Sequence, residues 1–279
     1  MRKASLLGLS ASGFHRLAYC EWGAPDAPRT LICVHGLTRN GRDFDSLAAT
    51  LAQQGYRVAC PDVVGRGTSD WLADPAGYGY PQMLADAAAL VARLGVGQLD
   101  WVGTSMGGLT GMMLAAQPKT PIARLVINDV GPFIPKAALA RIAGYLGQNP
   151  VFPDLAEAEA YIRRVHAPFG ALSDTQWRHL TEHSLRPDEG GLRLRYDPAI
   201  AQAFAGEPED VDLWSLWDAI TIPVLLLRGA QSDLLLSETA AEMTRRGPRA
   251  ELVEIPGCGH APALMDPAQI AIIADWLGR

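Results

Sequence analysis

The stretch that decides the fold is Leu99-Asp100-Trp101-Val102-Gly103-Thr104-Ser105-Met106-Gly107-Gly108, continuing to Gln117-Pro118. Leu99 to Val102 is a short apolar run with the length of a buried strand. Met106 to Gln117 reads as a helix stopped by Pro118. Between them, Gly103-Thr104-Ser105-Met106-Gly107 fits the pattern G-x-S-x-G. There, small flanking residues let a tight strand-to-helix turn close without side-chain collision and leave the serine hydroxyl projecting from it. No charge occurs between Asp100 and Lys119, which on length alone would suit a membrane span. The glycines, Ser105 and Pro118 within the run fit a buried strand, turn and helix better.

The same alternation extends outward. Leu31 to Val34, Tyr56 to Cys60, Leu125 to Asn128 and Pro223 to Leu227 are short apolar runs bounded by Gly, Pro or Asp, as central parallel strands are. Phe14 to Trp22 alternates like a half-buried antiparallel strand. Phe44 to Gln54, Tyr80 to Leu94 and Asp266 to Leu277 carry helical spacing. This order predicts an α/β fold with an open, mostly parallel sheet and helices on both faces. From Gly131 to Ser215 no central strand is expected, only helical segments broken by Pro135, Pro150, Pro153, Pro168, Pro187 and Pro198. The expected division is a core of residues 1–130 and 216–279 interrupted by a mainly helical insertion at 131–215.

The 279 residues include 48% hydrophobic and 19% charged, the balance of a globular chain. A formal charge of -6 provides no broad cationic surface for phosphates, so nucleic acid is not an expected partner. Met1-Arg2-Lys3 followed by Ala4 to Leu9 imitates a signal peptide. Its apolar part is six residues, where such a region usually needs about 7–15. Cys20, Cys33, Cys60 and Cys258 are scattered singly, as reduced core thiols are, which points to the cytoplasm. A monomer or homodimer without a membrane span is expected.

A serine hydroxyl needs a base within reach, and that base needs a group to hold its tautomer. His260, in Gly257-Cys258-Gly259-His260, lies between a strand-like segment at Glu251 to Ile255 and the last helix. Asp233, in Gln231-Ser232-Asp233, follows the strand ending at Leu227, where open parallel sheets place active residues. Asp129, at the end of Leu125 to Asn128, is the rival acid and reads better as a structural turn residue. Backbone N–H groups that would stabilise an oxyanion are expected from Met106 and, in His35-Gly36-Leu37, from Leu37. Asp62 and Arg66, in the loop after Tyr56 to Cys60, are candidate internal ion-pair partners. His179-Leu180-Thr181-Glu182-His183 matches the H-x-x-E-H zinc pattern. It falls inside the insertion with no third ligand recognisable, and it reads as a solvated helix face, so no metal is expected.

Ser105 in Gly-Thr-Ser-Met-Gly-Gly, Asp233 in Gln-Ser-Asp, His260 in Gly-Cys-Gly-His and the His35-Gly36-Leu37 loop together resemble the α/β-hydrolase superfamily over nearly the whole chain. The resemblance implies cofactor-free acyl transfer on small to medium carboxylic esters, including lactones, with Ser105, Asp233 and His260 as the triad. It also implies that the insertion is a lid over the site, with Phe133, Tyr145, Phe169, Trp177, Trp214 and Trp217 as candidate pocket walls. Serine at position 105 disfavours relatives that use an aspartate nucleophile. Carbon–carbon bond hydrolysis, peracid formation with the same triad, and a ligand-binding receptor of the same fold are the alternatives.

Overall fold

The computed structural model describes residues 1–204 and 206–279. β1 (Arg2–Ser10) and β2 (Gly13–Trp22) form an antiparallel hairpin. β3 (Arg29–Val34), α1 (Asp45–Gln53), β4 (Tyr56–Pro61), α2 (Tyr80–Leu94), β5 (Leu99–Thr104), α3 (Met106–Ala115) and β6 (Ile122–Asn128) then alternate. The chain leaves the sheet through β7 (Phe133–Ile134), α4 (Lys136–Ala143), β8 (Val151–Phe152), α5 (Leu155–Val165), α6 (Asp174–Ser184), β9 (Leu185–Asp188), β10 (Gly191–Leu194), β11 (Val211–Asp212) and α7 (Trp214–Asp218). It returns with β12 (Val224–Gly229), α8 (Ser237–Met243), β13 (Glu251–Ile255) and α9 (Pro267–Leu277). The central sheet has the order β1-β2-β4-β3-β5-β6-β12-β13. β2 pairs antiparallel with both β1 and β4, and the other junctions are parallel.

The apolar runs are continuous because their strands are covered on both faces. Successive side chains on a strand point to opposite sides. Ile32, Val34, Trp101, Leu125, Ile127 and Leu226 therefore pack with Leu90, Leu109 and Met112 of α2 and α3 on one face. Leu31, Cys33, Val102, Val126, Leu225 and Leu227 pack with Leu47 and Leu51 of α1 and Ile273 and Leu277 of α9 on the other. Each such side chain contributes roughly 1.5–3 kcal/mol by leaving water, so the sheet centre is the most stable part of the chain. All four cysteines are buried and unpaired.

Two segments carry structure that the sequence reading did not include. The leader-like Ala4 to Leu9 lies within the edge strand β1: Leu7 and Leu9 face outward, and Gly8 faces inward, where a Cβ would come within 2.4 Å of Asp86 Oδ1. The inserted segment adds no strand to the central sheet, but it is not purely helical. β8-β10-β9 form a small antiparallel sheet, and β11 pairs with β7. The signal for the β9–β10 hairpin was Glu189-Gly190-Gly191 between alternating residues: Gly190 has φ +82° and lets the two-residue turn close. Among the described residues no helix is long and apolar enough to cross a membrane.

The closest backbone approach in the core is at the start of α3. A Cβ on Gly107 would lie 2.0 Å from the Val34 carbonyl oxygen, and one on Gly103 would lie 2.2 Å from the Gly107 carbonyl oxygen. Gly107→Ala is therefore expected to destabilise by about 3 kcal/mol or more, because only backbone could yield. Gly97→Ala, where a Cβ meets nothing within 4 Å, should leave the melting temperature within about a degree. Thermal denaturation of the two variants side by side checks both.

Burial also holds histidines neutral. It pushes His35 down to about 4, His183, beside Arg42, to about 4, and His166 well below its ordinary range. The unfolded chain takes up these protons near pH 6.5, whereas the folded chain refuses those of His35 and His183 until about pH 4, so stability falls as pH drops through that window. His35 alone should cost on the order of 2 kcal/mol at pH 5 relative to pH 7.5. Urea midpoints at the two pH values measure this. Equal midpoints would contradict it, and His35→Gln should narrow the difference.

Candidate active site

The tight packing of α3 on the sheet fixes the turn that carries Ser105. Ser105 sits between β5 and α3 with φ +52°, a left-handed backbone that a residue with a Cβ seldom adopts, and so stands proud of the turn. Its N–H donates to the Asn128 carbonyl (2.9 Å), and Trp101 Nε1–H donates to the Gly107 carbonyl (3.0 Å), which ties helix and strands together. Asn128 Nδ2 donates to Thr104 Oγ1 and to the Pro262 carbonyl, joining β6 to the turn and to the histidine loop.

His260, between β13 and α9, reaches Ser105 Oγ with Nε2 at 2.9 Å and Asp129 Oδ2 with Nδ1 at 2.8 Å. A carboxylate only accepts, so Nδ1 carries the proton and Nε2 is left to accept from the serine hydroxyl. The acid beside His260 is thus Asp129, not Asp233. Asp129 follows β6 with φ +59°, is fully buried, and also accepts from Gly229 N–H (2.7 Å) and Ser232 Oγ–H (2.6 Å). Those donors come from the β12 end and its loop, the place where the acid was expected. There Ser232 turns inward, its hydroxyl also accepting from Leu234 and Leu235 N–H, and the neighbouring Asp233 turns outward. The Asp233 side chain is 51% exposed and grips the Arg141 guanidinium of α4 with both oxygens. The available signal for Asp129 was its position after β6, the strand next to the one that carries Ser105.

The loop expected to supply an oxyanion donor, His35-Gly36-Leu37, is organised by two buried side chains. His35 Nδ1–H donates to the Gly36 carbonyl (2.7 Å), and its Nε2 accepts from Val63 N–H (3.0 Å). In a trans peptide the N–H points opposite the carbonyl, so a Gly36 carbonyl held by His35 turns the Leu37 N–H the other way, and that N–H has no acceptor among the described residues. Met106 opens α3, so its N–H has no intrahelical partner either. Arg66 does not pair with Asp62. It is fully buried and donates to the carbonyls of Leu37 (2.9 Å) and Val64 (2.8 Å), with Met106 Sδ at 3.7 Å. Burial pulls its pKa down only to about 10, so it stays cationic behind the loop at neutral pH. Asp62 instead accepts from Gly41 N–H, Thr68 N–H and Thr68 Oγ–H.

Ser105, His260, Leu37 and Gly36 line one cavity. Of the aromatic residues expected as its walls, Tyr145 and Phe169 are there. Phe133, Trp177, Trp214 and Trp217 are not. Phe133 pairs across β7 and β11, and Trp177 is packed inside the inserted segment with Arg163 over its ring. Trp217 is fully buried against the main core with Nε1–H on the Arg246 carbonyl, and Trp214 lies beside it with Arg246 over its ring. Large rings at helical spacing were read for the pocket but serve packing.

The H-x-x-E-H pattern forms part of α6, with Glu182 exposed. His179 and His183 stack edge-on 4.5 Å apart, and with Asp45 they bring ligand atoms within 4.8 Å of one another. Asp45 is already engaged by Arg42 Nε at 2.7 and 2.9 Å, and His179 Nε2–H donates to the Arg42 carbonyl. A cation there would face the Arg42 charge, and none of the three residues lines the cavity of Ser105.

Comparison with known proteins agrees with this architecture. The 3-hydroxybutyrate-oligomer hydrolase of Cupriavidus necator is 51% identical over 96% of this chain and 94% of its own length. The 2-(acetamidomethylene)succinate hydrolase of Mesorhizobium japonicum is 30% identical over 82% and 81%. A crystal structure of an alpha/beta hydrolase from Novosphingobium aromaticivorans superposes with a TM-score of 0.88 at 38% identity, covering 99% of this chain and 98% of that one. The alpha/beta hydrolase fold family matches residues 29–267. By sequence over nearly its full length and by the course of its sheet, this chain belongs to the α/β-hydrolase family.

Proposed function

We propose that the protein is a serine hydrolase of carboxylic esters that works through Ser105, His260 and Asp129. The observation that carries this reading is His260, which touches the Ser105 hydroxyl and the buried Asp129 carboxylate at once inside a cavity. Ser105 Oγ attacks the ester carbonyl carbon as His260 Nε2 takes its proton. Asp129 then balances the imidazolium charge without itself taking the proton. The oxygen that becomes negative is received by the Leu37 and Met106 N–H groups, with the fixed charge of Arg66 behind them. The tetrahedral species collapses as His260 returns the proton to the leaving alkoxide, and water repeats the sequence on the acyl-enzyme. No cofactor enters any of these steps.

The substrate class follows from chemistry and likeness together. The relative with half its residues identical is named for oligomers of 3-hydroxybutyrate, which are chains of short hydroxyacid esters. Tyr145, Phe169, Ile142 and Val165 give the cavity an apolar wall that suits such short aliphatic units. We infer that linear oligoesters of short hydroxyacids are the substrates, with simple short-chain esters accepted as well.

Purified protein should hydrolyse p-nitrophenyl butyrate and the linear dimer of 3-hydroxybutyrate. Ser105→Ala should lose at least about a thousandfold in kcat. An inactive wild type, or an active Ser105→Ala, would sink the ester-hydrolase reading. The acid is checked separately. Asp129→Asn should lower kcat by roughly 10³–10⁴, since the amide supports the wrong tautomer of His260, whereas Asp233→Asn should cost no more than about threefold on p-nitrophenyl butyrate. The reverse ranking would restore Asp233 to the triad.

A further inference from the structure

Besides His260 and His35, three side chains that can carry positive charge line the cavity: Arg39, His166 and Arg141. They are not equivalent. Burial, with Arg39 adding to it, keeps His166 neutral. Every nitrogen of Arg39 already has an acceptor: Nε and NH2 donate to the two oxygens of Asp43 at 2.8 and 2.7 Å, and NH1 donates to Ser184 Oγ at 2.7 Å. Arg141 is different. It gives one edge of its guanidinium, Nε and NH2, to Asp233, and NH1 has no acceptor among the described residues. A guanidinium has five N–H groups in a fixed fork, so three remain for a second acceptor.

The Arg141–Asp233 pair is 39% and 51% exposed, which makes it worth little as a structural tie. Its placement is more telling, because it joins α4 of the inserted segment to the β12 loop, and its arginine lines the Ser105 cavity. Tyr145, four residues after Arg141, lines the same cavity. Its phenolic hydroxyl has no partner among the described residues, and burial raises its pKa, so at neutral pH it keeps its proton and can donate. A planar cationic fork beside a hydroxyl donor is the geometry that binds a carboxylate.

We propose that Arg141, with Tyr145 beside it, forms a subsite for a free carboxylate, and that the site selects ester chains ending in a carboxylate, with Asp233 holding the guanidinium while the subsite is empty. This rests on the ester-hydrolase reading of Ser105. A carboxylate anchored at the rim also fixes register, because the ester bond presented to Ser105 then lies a set number of bonds from the chain end.

The test compares the linear 3-hydroxybutyrate dimer with its methyl ester, which differs only in the terminal charge. Isothermal titration of Ser105→Ala protein reads binding without turnover. It should bind the acid about tenfold or more tightly than the methyl ester. Adding Arg141→Ala or Arg141→Gln should bring the two affinities within about twofold of each other. Asp233→Asn breaks the same ion pair but leaves the guanidinium, so in that background the preference for the acid should persist. Equal binding of acid and methyl ester by Ser105→Ala, survival of the preference in both Arg141 variants, or its loss in Asp233→Asn would each overturn the subsite. The ester-hydrolase reading is judged apart from this, by whether the wild type cleaves p-nitrophenyl butyrate at all.

Discussion

The arrangement around Ser105 depends on how closely α3 can approach the ends of β3 and β5. Gly107 lies so near the Val34 carbonyl, and Gly103 so near Gly107, that no side-chain carbon fits at either place. That contact forces the chain to reverse within a single left-handed residue, and the residue there is Ser105. The strain of a serine at φ +52° is sustained by the packing around it: Met112 and Leu109 against the sheet, and Trp101 holding the Gly107 carbonyl. The Arg66 guanidinium reaches both the Leu37 carbonyl and Met106 Sδ, so the loop after β3 and the start of α3 share one buried side chain.

A second constraint is electrostatic. A fully buried carboxylate carries a large desolvation cost unless hydrogen bonds replace the lost water. Asp129 meets this with three donors, Gly229 N–H, Ser232 Oγ–H and His260 Nδ1–H. The first two hold the carboxylate still, and the third orients the imidazole. Opposite it, Arg66 is a buried cation with no carboxylate partner among the described residues, satisfied by carbonyls and lying over the Tyr78 ring. The site is thus bracketed by a fixed negative charge behind the histidine and a fixed positive charge behind the His35-Gly36-Leu37 loop, both shielded from solvent and from screening by salt.

The exposed Arg141–Asp233 pair belongs to a different regime. It lies at the rim, where water competes for both partners, so its two groups can exchange partners at small cost. Rigid buried charges around Ser105 and His260 thus contrast with an exposed, water-accessible pair at the rim.

Most of the sheet was legible in the sequence because parallel strands buried on both faces leave unbroken apolar runs, as at Leu31 to Val34 and Val224 to Leu227. The turn at Ser105 and the His260 loop were legible because each carries glycine at a fixed offset from a strand end. The small β8-β10-β9 sheet was obscured by charged residues such as Arg186, Asp188 and Arg193, whose ion pairs with one another lie across its exposed strands. Nor did sequence distinguish pocket walls from packing among the tryptophans, since both demand the same residue type. What the sequence by itself determined is a parallel sheet with Ser105 and His260 at its edge. Only the tertiary structure decided that Asp129 and not Asp233 completes the set, because that choice turns on which of two adjacent residues, Ser232 or Asp233, a loop points inward. Loop direction is set by the neighbours that the loop meets after folding and leaves no periodic trace in the chain.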